Sequence, residues 1–463
     1  IKNMELSQAY PFCMEDKIMS FEAITEDELK KFKKEFAESK SEAVQGAVMA
    51  QGIPAVSINK SVEALMTHQY SINVESGNIT NQKRSGRCWM FAATNVMRLE
   101  VMKKLKIKNM ELSQAYPLFW DKLEKSNFFL ENILKTIDEP NGSRITDFLL
   151  SSPIGDGGQW TMFVNLVEKY GVCPKDVYPE TASSSNTQAM DKYITLKLRE
   201  YACTLRKLHQ EEKKTVEELR PLKEKMLSEV YHILAVCLGE PPVKFTYEYV
   251  DEDKKFGRIA DITPKEFFDK YVGLKLDDYV SVLSCPGPRY PFEKAFTVKY
   301  LNNVEGGNKV LYINLPIERV KELVIKQLSD NRVVWFGSDV GQFSYTPDGV
   351  MSTEMWNVSK VLGTEFGMTK AERVDYGESL MTHAMVITGV NIVDNKPNRW
   401  RVENSWGDAI GDKGYFVMSD DWFNEFVYQA VIDKKYLTED EVKILEQDPI
   451  ELEAWDPMGS LAL

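Results

Sequence analysis

Apolar positions recur at helical spacing through the first third of the chain and at strand spacing through much of its second half, so the pattern alone divides the molecule. From Thr25, the run TEDELKKFKKEF sets a threonine cap ahead of first-turn acids and later lysines, which predicts a helix lying on the surface as an arm. Past a loop rich in Asn, Gly and Ser, the stretch Gln82 to Leu105 carries Trp89, Met90, Ala93, Val96, Met97, Val101 and Met102 at helical spacing. That spacing predicts a long, mostly buried helix starting near Cys88. Ser113 caps a further helix through Phe119, Trp120 and Leu123, and Asp156-Gly157-Gly158 forms a tight turn before a helix from Gln159 to Tyr170. The charged stretch from Asn186 to Leu238 predicts two or three helices broken near Pro221, with the charge runs on solvated faces.

Between Pro241 and Val310 the chain turns to aromatic and β-branched residues with several prolines, as in KFTYEYVD and DDYVSVLSCPGPRYP, which predicts strands and loops of an inserted unit. From Val310 to Val431 short strands dominate: VLYINL, VVWFGSDV, HAMVITGVNIV and RWRVENSW. The turn Asp394-Asn395-Lys396-Pro397-Asn398 joins the last two as a hairpin. A helical half followed by a β half, with an insertion between them, is an α+β arrangement.

Length and composition narrow the function. At roughly 150 residues per domain, 463 residues make about three units, enough to bury a core without disulfides or metals. A net charge of -13 repels phosphate backbones and argues against nucleic-acid binding as the main task. No stretch approaches the roughly eighteen apolar residues of a membrane span, and the N-terminus lacks signal-peptide order, so a cytoplasmic protein is expected. Cys13, Cys88, Cys173, Cys203, Cys237 and Cys285 lie far apart with no CxxC pair, which predicts neither a disulfide framework nor a cysteine metal site. The Walker loop, GxGxxG and HExxH are missing too, and no cofactor is expected. The eleven letters IKNMELSQAYP occur at Ile1 to Pro11 and again at Ile107 to Pro117; residues 1–13 are read as a cloning artefact without functional weight.

Cys88 stands where a glycine-containing loop becomes a helix, and there unpaired N–H groups and the macrodipole favour a thiolate. A free cysteine alone is ordinary buried packing. Its surroundings raise the stakes. Gln82, six residues earlier, is placed to donate with the Cys88 N–H to a tetrahedral oxyanion. His383, one of four histidines, opens the strand HAMVITGV, and Asn404 ends the facing strand WRVEN. Hairpin pairing brings those strand ends together, so that Asn404 holds one imidazole nitrogen while the other faces the sulfur, and Trp406 shields the pair from water. Taken singly, His383 reads as a satisfied core histidine and Asn404 as a turn residue.

Together, QKRSGRCW, THAM and ENSWG resemble papain-like cysteine peptidases, and within them the bleomycin hydrolase or aminopeptidase C family. The similarity runs from about Met19 to Leu463 and takes in ELSQAY, GDGGQ, VEKYGV, YPE, SEVY, GEPP, DDYV, NVEGG, WFGSDV, KGYFVM and AWDPMGSLA. Two departures from the wider papain pattern stand out. Ser85-Gly86-Arg87-Cys88-Trp89 replaces C-G-[SA]-C-[WY], which removes a disulfide cysteine. The histidine also lies 295 residues after Cys88 instead of roughly 130 to 150, an excess that the insertion explains.

The resemblance implies Cys88 as nucleophile, His383 as general acid/base, Asn404 as orienting residue and Gln82 as oxyanion donor. It implies that Gly157 and Gly158 line the substrate cleft, although from local sequence they serve equally as a turn before a helix. It also implies a homohexameric ring whose sites face an inner chamber, and a tail in the cleft that offers the Leu463 carboxylate to a substrate's amino group. No pro-segment is evident. The expected division is an arm at 14–60, the helical half of the catalytic domain at 61–180, a helical and hook insertion at 181–300, the β half at 301–450 and the tail at 451–463. The function implied is removal of N-terminal residues from peptides, with broad specificity extending to bleomycin. An endopeptidase, oligopeptidase or acyltransferase using the same thiolate, and a nucleic-acid-binding ring, are the alternatives.

Overall fold

A computed structural model describes residues 22–462. The artefact expected at 1–13, the first part of the 14–60 arm, and Leu463 lie outside the described residues. Two compact units emerge. The smaller holds the arm up to Ile58 together with Val358–Gly363. Its first helix, Glu26–Glu38, begins at the expected Thr25, whose hydroxyl and Glu28 exchange capping-box hydrogen bonds, and none of its residues is buried. Helices Glu42–Gln51, Ile53–Ser57 and Val358–Leu362 complete that unit.

The larger unit has the α+β architecture. Helix Cys88–Leu105 starts at the cysteine and buries thirteen of its residues, from Cys88 to Leu105, on almost every side. It packs along strand His383–Val393, to which it is tied by the buried Arg98–Glu403 ion pair at 2.7 Å on the neighbouring strand. His383–Val393 runs antiparallel between Val334–Ser338 and Lys396–Glu403, in a twelve-stranded sheet among the described residues. The hairpin is tighter than expected: only Asp394 and Asn395 turn the chain, both at positive φ (50° and 62°), while Lys396 and Pro397 already pair as strand. Two consecutive left-handed residues match the twist of the flanking strands, and Asp-Asn accepts that conformation readily.

Two expectations about the inserted region need correction. Pro221 does not break a helix: Val216–Leu238 is continuous through it, and the interruption falls at 211–215, where Lys213 has φ 60°. The missing N–H leaves only the Glu217 carbonyl without its intrahelical bond, and Glu217 is exposed to water. Helices Gln188–Gln210 and Val216–Leu238 pack on Ala115–Lys135. The aromatic stretch is not all insertion either. Strands Phe245–Val250 and Phe256–Ile262 form a separate hairpin, but Tyr279–Leu283 pairs with Val427–Asp433, and Lys294–Val298 pairs with Tyr312–Asn314, so both join the main sheet.

Helix Trp160–Tyr170 ends at Gly171, at φ 77°, where a side chain would place its Cβ 2.2 Å from the Pro264 carbonyl carbon. Gly239 has nearly the same φ, 80°, with nothing within 4 Å. Gly171→Ala is therefore expected to destabilise by at least about 2 kcal/mol more than Gly239→Ala, because both strain the backbone and only the first also collides with it. Urea midpoints of the two variants check this; equal shifts would mean that the Pro264 segment yields freely.

Candidate active site

The loop before Cys88 is fixed by the turn behind it. Gly86 donates its N–H to Asp156 Oδ2 at 2.7 Å, and a Cβ on Gly86 would sit 2.6 Å from the Asp156 Cβ, so the approach requires glycine. Arg87 is fully buried; its guanidinium donates twice to Glu180, at 3.0 and 2.8 Å, once to the Ser184 carbonyl at 2.7 Å and once to Ser85 Oγ at 2.9 Å. Trp89 anchors the first turn, its indole N–H donating to the Asp156 carbonyl at 2.7 Å and its own carbonyl receiving the Trp335 indole at 3.2 Å. Cys88 is thereby held at the first helical position, 4% exposed.

From the other side, the strand start reaches the sulfur directly. The Ala384 N–H donates to Cys88 Sγ at 3.5 Å, which brings the residue after His383 onto the thiol. His383 Nε2 lies 2.9 Å from Asn404 Oδ1. That oxygen also accepts the Ser405 N–H at 2.7 Å, and because a backbone N–H can only donate, the amide orientation is determined and Nε2 must carry the proton. His383 Nδ1 is left with the lone pair. The Trp406 ring covers the imidazole at 4.7 Å between centroids, tilted by 33°.

Gln82 is oriented by the same logic. Its Oε1 accepts Ser405 Oγ at 2.7 Å and its Nε2 donates to the Ser85 carbonyl at 2.7 Å, which leaves one amide hydrogen uncommitted. The structure thus brings Cys88, His383, Asn404, Gln82 and Trp406 into one connected network. The two glycines meet different neighbours: a Cβ on Gly158 would lie 2.5 Å from the Trp89 ring, and one on Gly157 would lie 2.1 Å from the Leu461 carbonyl oxygen. The tail therefore passes against Gly157. Leu463 itself is outside the described residues.

A sequence profile of the Peptidase C1-like family matches residues 23–459. The chain belongs to that family. It is 47% identical over 419 residues to an Aminopeptidase C of Lactobacillus delbrueckii subsp. lactis, covering 90% of this chain and 93% of that one. It is 44% identical over 402 residues to the Bleomycin hydrolase of Homo sapiens, covering 85% and 88%. The crystal structure of PepW from Lactobacillus rhamnosis HN001 (DR20) matches with a TM-score of 0.93 at 50% identity, over 94% of this chain and 99% of that one. The resemblance to papain-like cysteine peptidases of the aminopeptidase C and bleomycin hydrolase type is thereby upheld.

Several residues of this C1-like site escaped the sequence reading. Ser405, which orients both amides, sat within the string ENSWG without being singled out, and Asp156 was read only as part of a tight turn. Lys122 and Lys125 carried no signal at all. Lys125 Nζ donates to the carbonyls of Gly155 and Gly157 at 2.7 and 2.6 Å, and Lys122 Nζ meets Asp156 at 2.7 Å and Asp191 at 3.0 Å, so the glycine turn rests on buried cations.

Burial pushes the Cys88 thiol up to about 11, against the N–H groups of Ala384 and Trp89 that favour the thiolate. Burial likewise pulls His383 down to about 4, against Asn404, which favours the charged ring. Each group alone is therefore neutral at pH 7. Moving the proton from sulfur to imidazole creates both charges together, and their attraction offsets what either would cost singly. His383→Ala removes that route. Its thiolate fraction at pH 7 should fall to roughly 10⁻⁴, and iodoacetamide alkylation of Cys88 should climb about tenfold per pH unit from 7 to 10, unlike the wild-type enzyme. Equal alkylation rates at pH 7 would remove His383 from this partnership.

Proposed function

We propose that the protein is a cysteine aminopeptidase that takes residues from the amino end of peptides through a Cys-His-Asn acyl-enzyme mechanism. The observation that carries the reading is the sulfur at a helix start, touched by the Ala384 N–H, with His383 held by Asn404 on the same strand ends. In the proposed cycle, His383 Nδ1 takes the Cys88 proton and the thiolate attacks the scissile carbonyl carbon. The resulting oxyanion is received by the Cys88 N–H and by the uncommitted hydrogen of Gln82 Nε2. As the C–N bond breaks, the imidazolium protonates the leaving amine; water, deprotonated by His383, then releases the acid and restores the thiol.

The amino-end preference is assigned to the tail. Leu461 lies against Gly157, one of the two glycines read as lining the cleft, and a chain end there fills the subsites upstream of the scissile bond. In this reading the Leu463 carboxylate meets the substrate's free amino group, and Gly158 and Trp406 act as packing for Trp89 and His383 at the margin of the cleft. A homohexamer in the cytoplasm, with the hook of the inserted region making the assembly contacts, completes the proposal. Among the described residues, no helix is long and apolar enough to cross a membrane. The bleomycin amide, by analogy with the human relative's name, is a further candidate substrate.

Hydrolysis of paired free-amino and acetylated fluorogenic peptides, with and without iodoacetamide, tests the whole reading. Only the free-amino substrate should turn over, iodoacetamide should stop it, and Cys88→Ala should be inert while still folded. Turnover of both substrates at similar rates would make the enzyme an endopeptidase or oligopeptidase, and activity in Cys88→Ala would sink the thiol mechanism. Gln82→Ala should lower kcat by roughly 10² to 10³, equivalent to about 2.7 to 4 kcal/mol, with little change in KM. An effect confined to KM would instead make Gln82 a ground-state contact. Deleting Ser460 to Leu463 should raise cleavage of acetylated peptides and lower that of free-amino ones; unchanged products would take specificity away from the tail.

A further inference from the structure

Besides the exposed pairs of Glu451 and Glu453 with Lys299, the tail is gripped through one buried charge. Asp456 is buried, and its carboxylate accepts Arg289 Nη2 at 2.8 Å, the Tyr290 hydroxyl at 3.0 and 3.1 Å, and the Met458 N–H at 3.0 Å. Tyr290 is buried as well, and its carbonyl is held by Asn314 Nδ2 at 2.8 Å, while Arg289 extends to Asp375 at 3.2 Å. The receiving side is therefore rigid. Just ahead of Asp456, Trp455 lies beneath the Arg144 guanidinium at 3.7 Å and beside Phe148. Beyond Asp456, Pro457–Ala462 is a 3-10 helix that, apart from the Met458 N–H on Asp456, meets neutral groups, Ser460 Oγ on the Met381 carbonyl at 2.8 Å and the Tyr312 hydroxyl on the Met458 carbonyl at 3.4 Å. Asp456 is the last ionisable side chain before the chain end.

We infer that Asp456, gripped by Arg289 and Tyr290, is a specificity-determining residue: it sets how far the tail reaches past Gly157 and so how many residues leave the amino end of a peptide in each turnover. The inference rests on the tail reading proposed above. A six-residue 3-10 segment spans about 12 Å and transmits the position of its anchor to its far end. One residue of an extended substrate occupies roughly 3.3 Å, so a retreat of the anchor by that amount admits one residue more. Charge-assisted hydrogen bonds are the stronger kind; the one between Lys299 and Glu453 lies exposed and counts for little, and at Asp456 the tail has them buried. The anchor therefore behaves as the fixed end of a ruler that runs past Gly157.

The test compares full-length wild-type enzyme, Asp456→Asn, Tyr290→Phe and the Ser460 to Leu463 deletion on one ten-residue free-amino peptide and its acetylated twin. Early products are read by mass spectrometry, and the alkylation rate of Cys88 is measured on each protein. In Asp456→Asn and Tyr290→Phe the ratio of released dipeptide to single residue should rise about tenfold, the change that corresponds to weakening the grip by about 1.4 kcal/mol. Cys88 alkylation should stay as in wild type, because nothing at the sulfur has changed. Tyr290→Phe removes a single hydroxyl and decides the matter if Asp456→Asn does not fold. If both variants release single residues as strictly as wild type while the deletion alters the products, the Asp456 inference is overturned and the tail reading stands. If the deletion also changes nothing, both fall.

Discussion

A single carboxylate, Asp156, accepts donors that arrive from separate segments: the Gly86 N–H of the loop before Cys88 at 2.7 Å, Lys122 of helix Ala115–Lys135 at 2.7 Å and the Thr187 hydroxyl at 2.5 Å. Its main-chain carbonyl takes the Trp89 indole as well. Burial by itself pushes the Asp156 carboxyl up, but Lys122, Thr187 and Gly86 outweigh it and hold the group well below the usual carboxylate range. Removing one partner of such a buried pair costs roughly 3 to 5 kcal/mol, so the loop, the turn and the helix behind them move together or not at all. The position of Cys88 is a result of that constraint: its loop is pinned at Gly86 and its helix at Trp89.

The glycine turn shows how closely this end is packed. Gly158 gives its missing Cβ to the Trp89 ring and Gly157 gives its own to the tail, while Lys125 holds the Gly157 carbonyl from behind. Neither glycine is there for φ, since neither adopts a positive value. What they provide is room for neighbours that come from distant parts of the sequence, Trp89 on one side and Leu461 on the other.

Local chemistry made part of this legible. The Thr25 cap, the helix start at Cys88 and the Asp394-Asn395 hairpin are set by residues close in sequence, and the strings around Cys88, His383 and Asn404 carried the site. Pro221 misled because a proline near a helix start removes a single bond whose carbonyl faces water. Tyr279–Leu283 was assigned to the insertion because its partner strand, Val427–Asp433, lies some 150 residues away by the register Val282 to Ala430, and no local pattern announces such pairing. Lys122 and Lys125 were invisible for a similar reason: a lysine on a helix reads as solvated until the fold buries it between carboxylates.

Where the papain pattern has its first cysteine, Ser85 hydrogen-bonds to the Gln82 carbonyl and to Arg87, and Arg87 grips Glu180 with both of its terminal nitrogens. The described cysteines are all free. A cysteine thiol stays unoxidised only under reducing conditions, and strong enough ones also open disulfides, the strained or exposed ones first. With an ionic clasp beside Cys88 in place of a covalent one, a reductant strong enough to keep that thiol free meets no disulfide to loosen among the described residues.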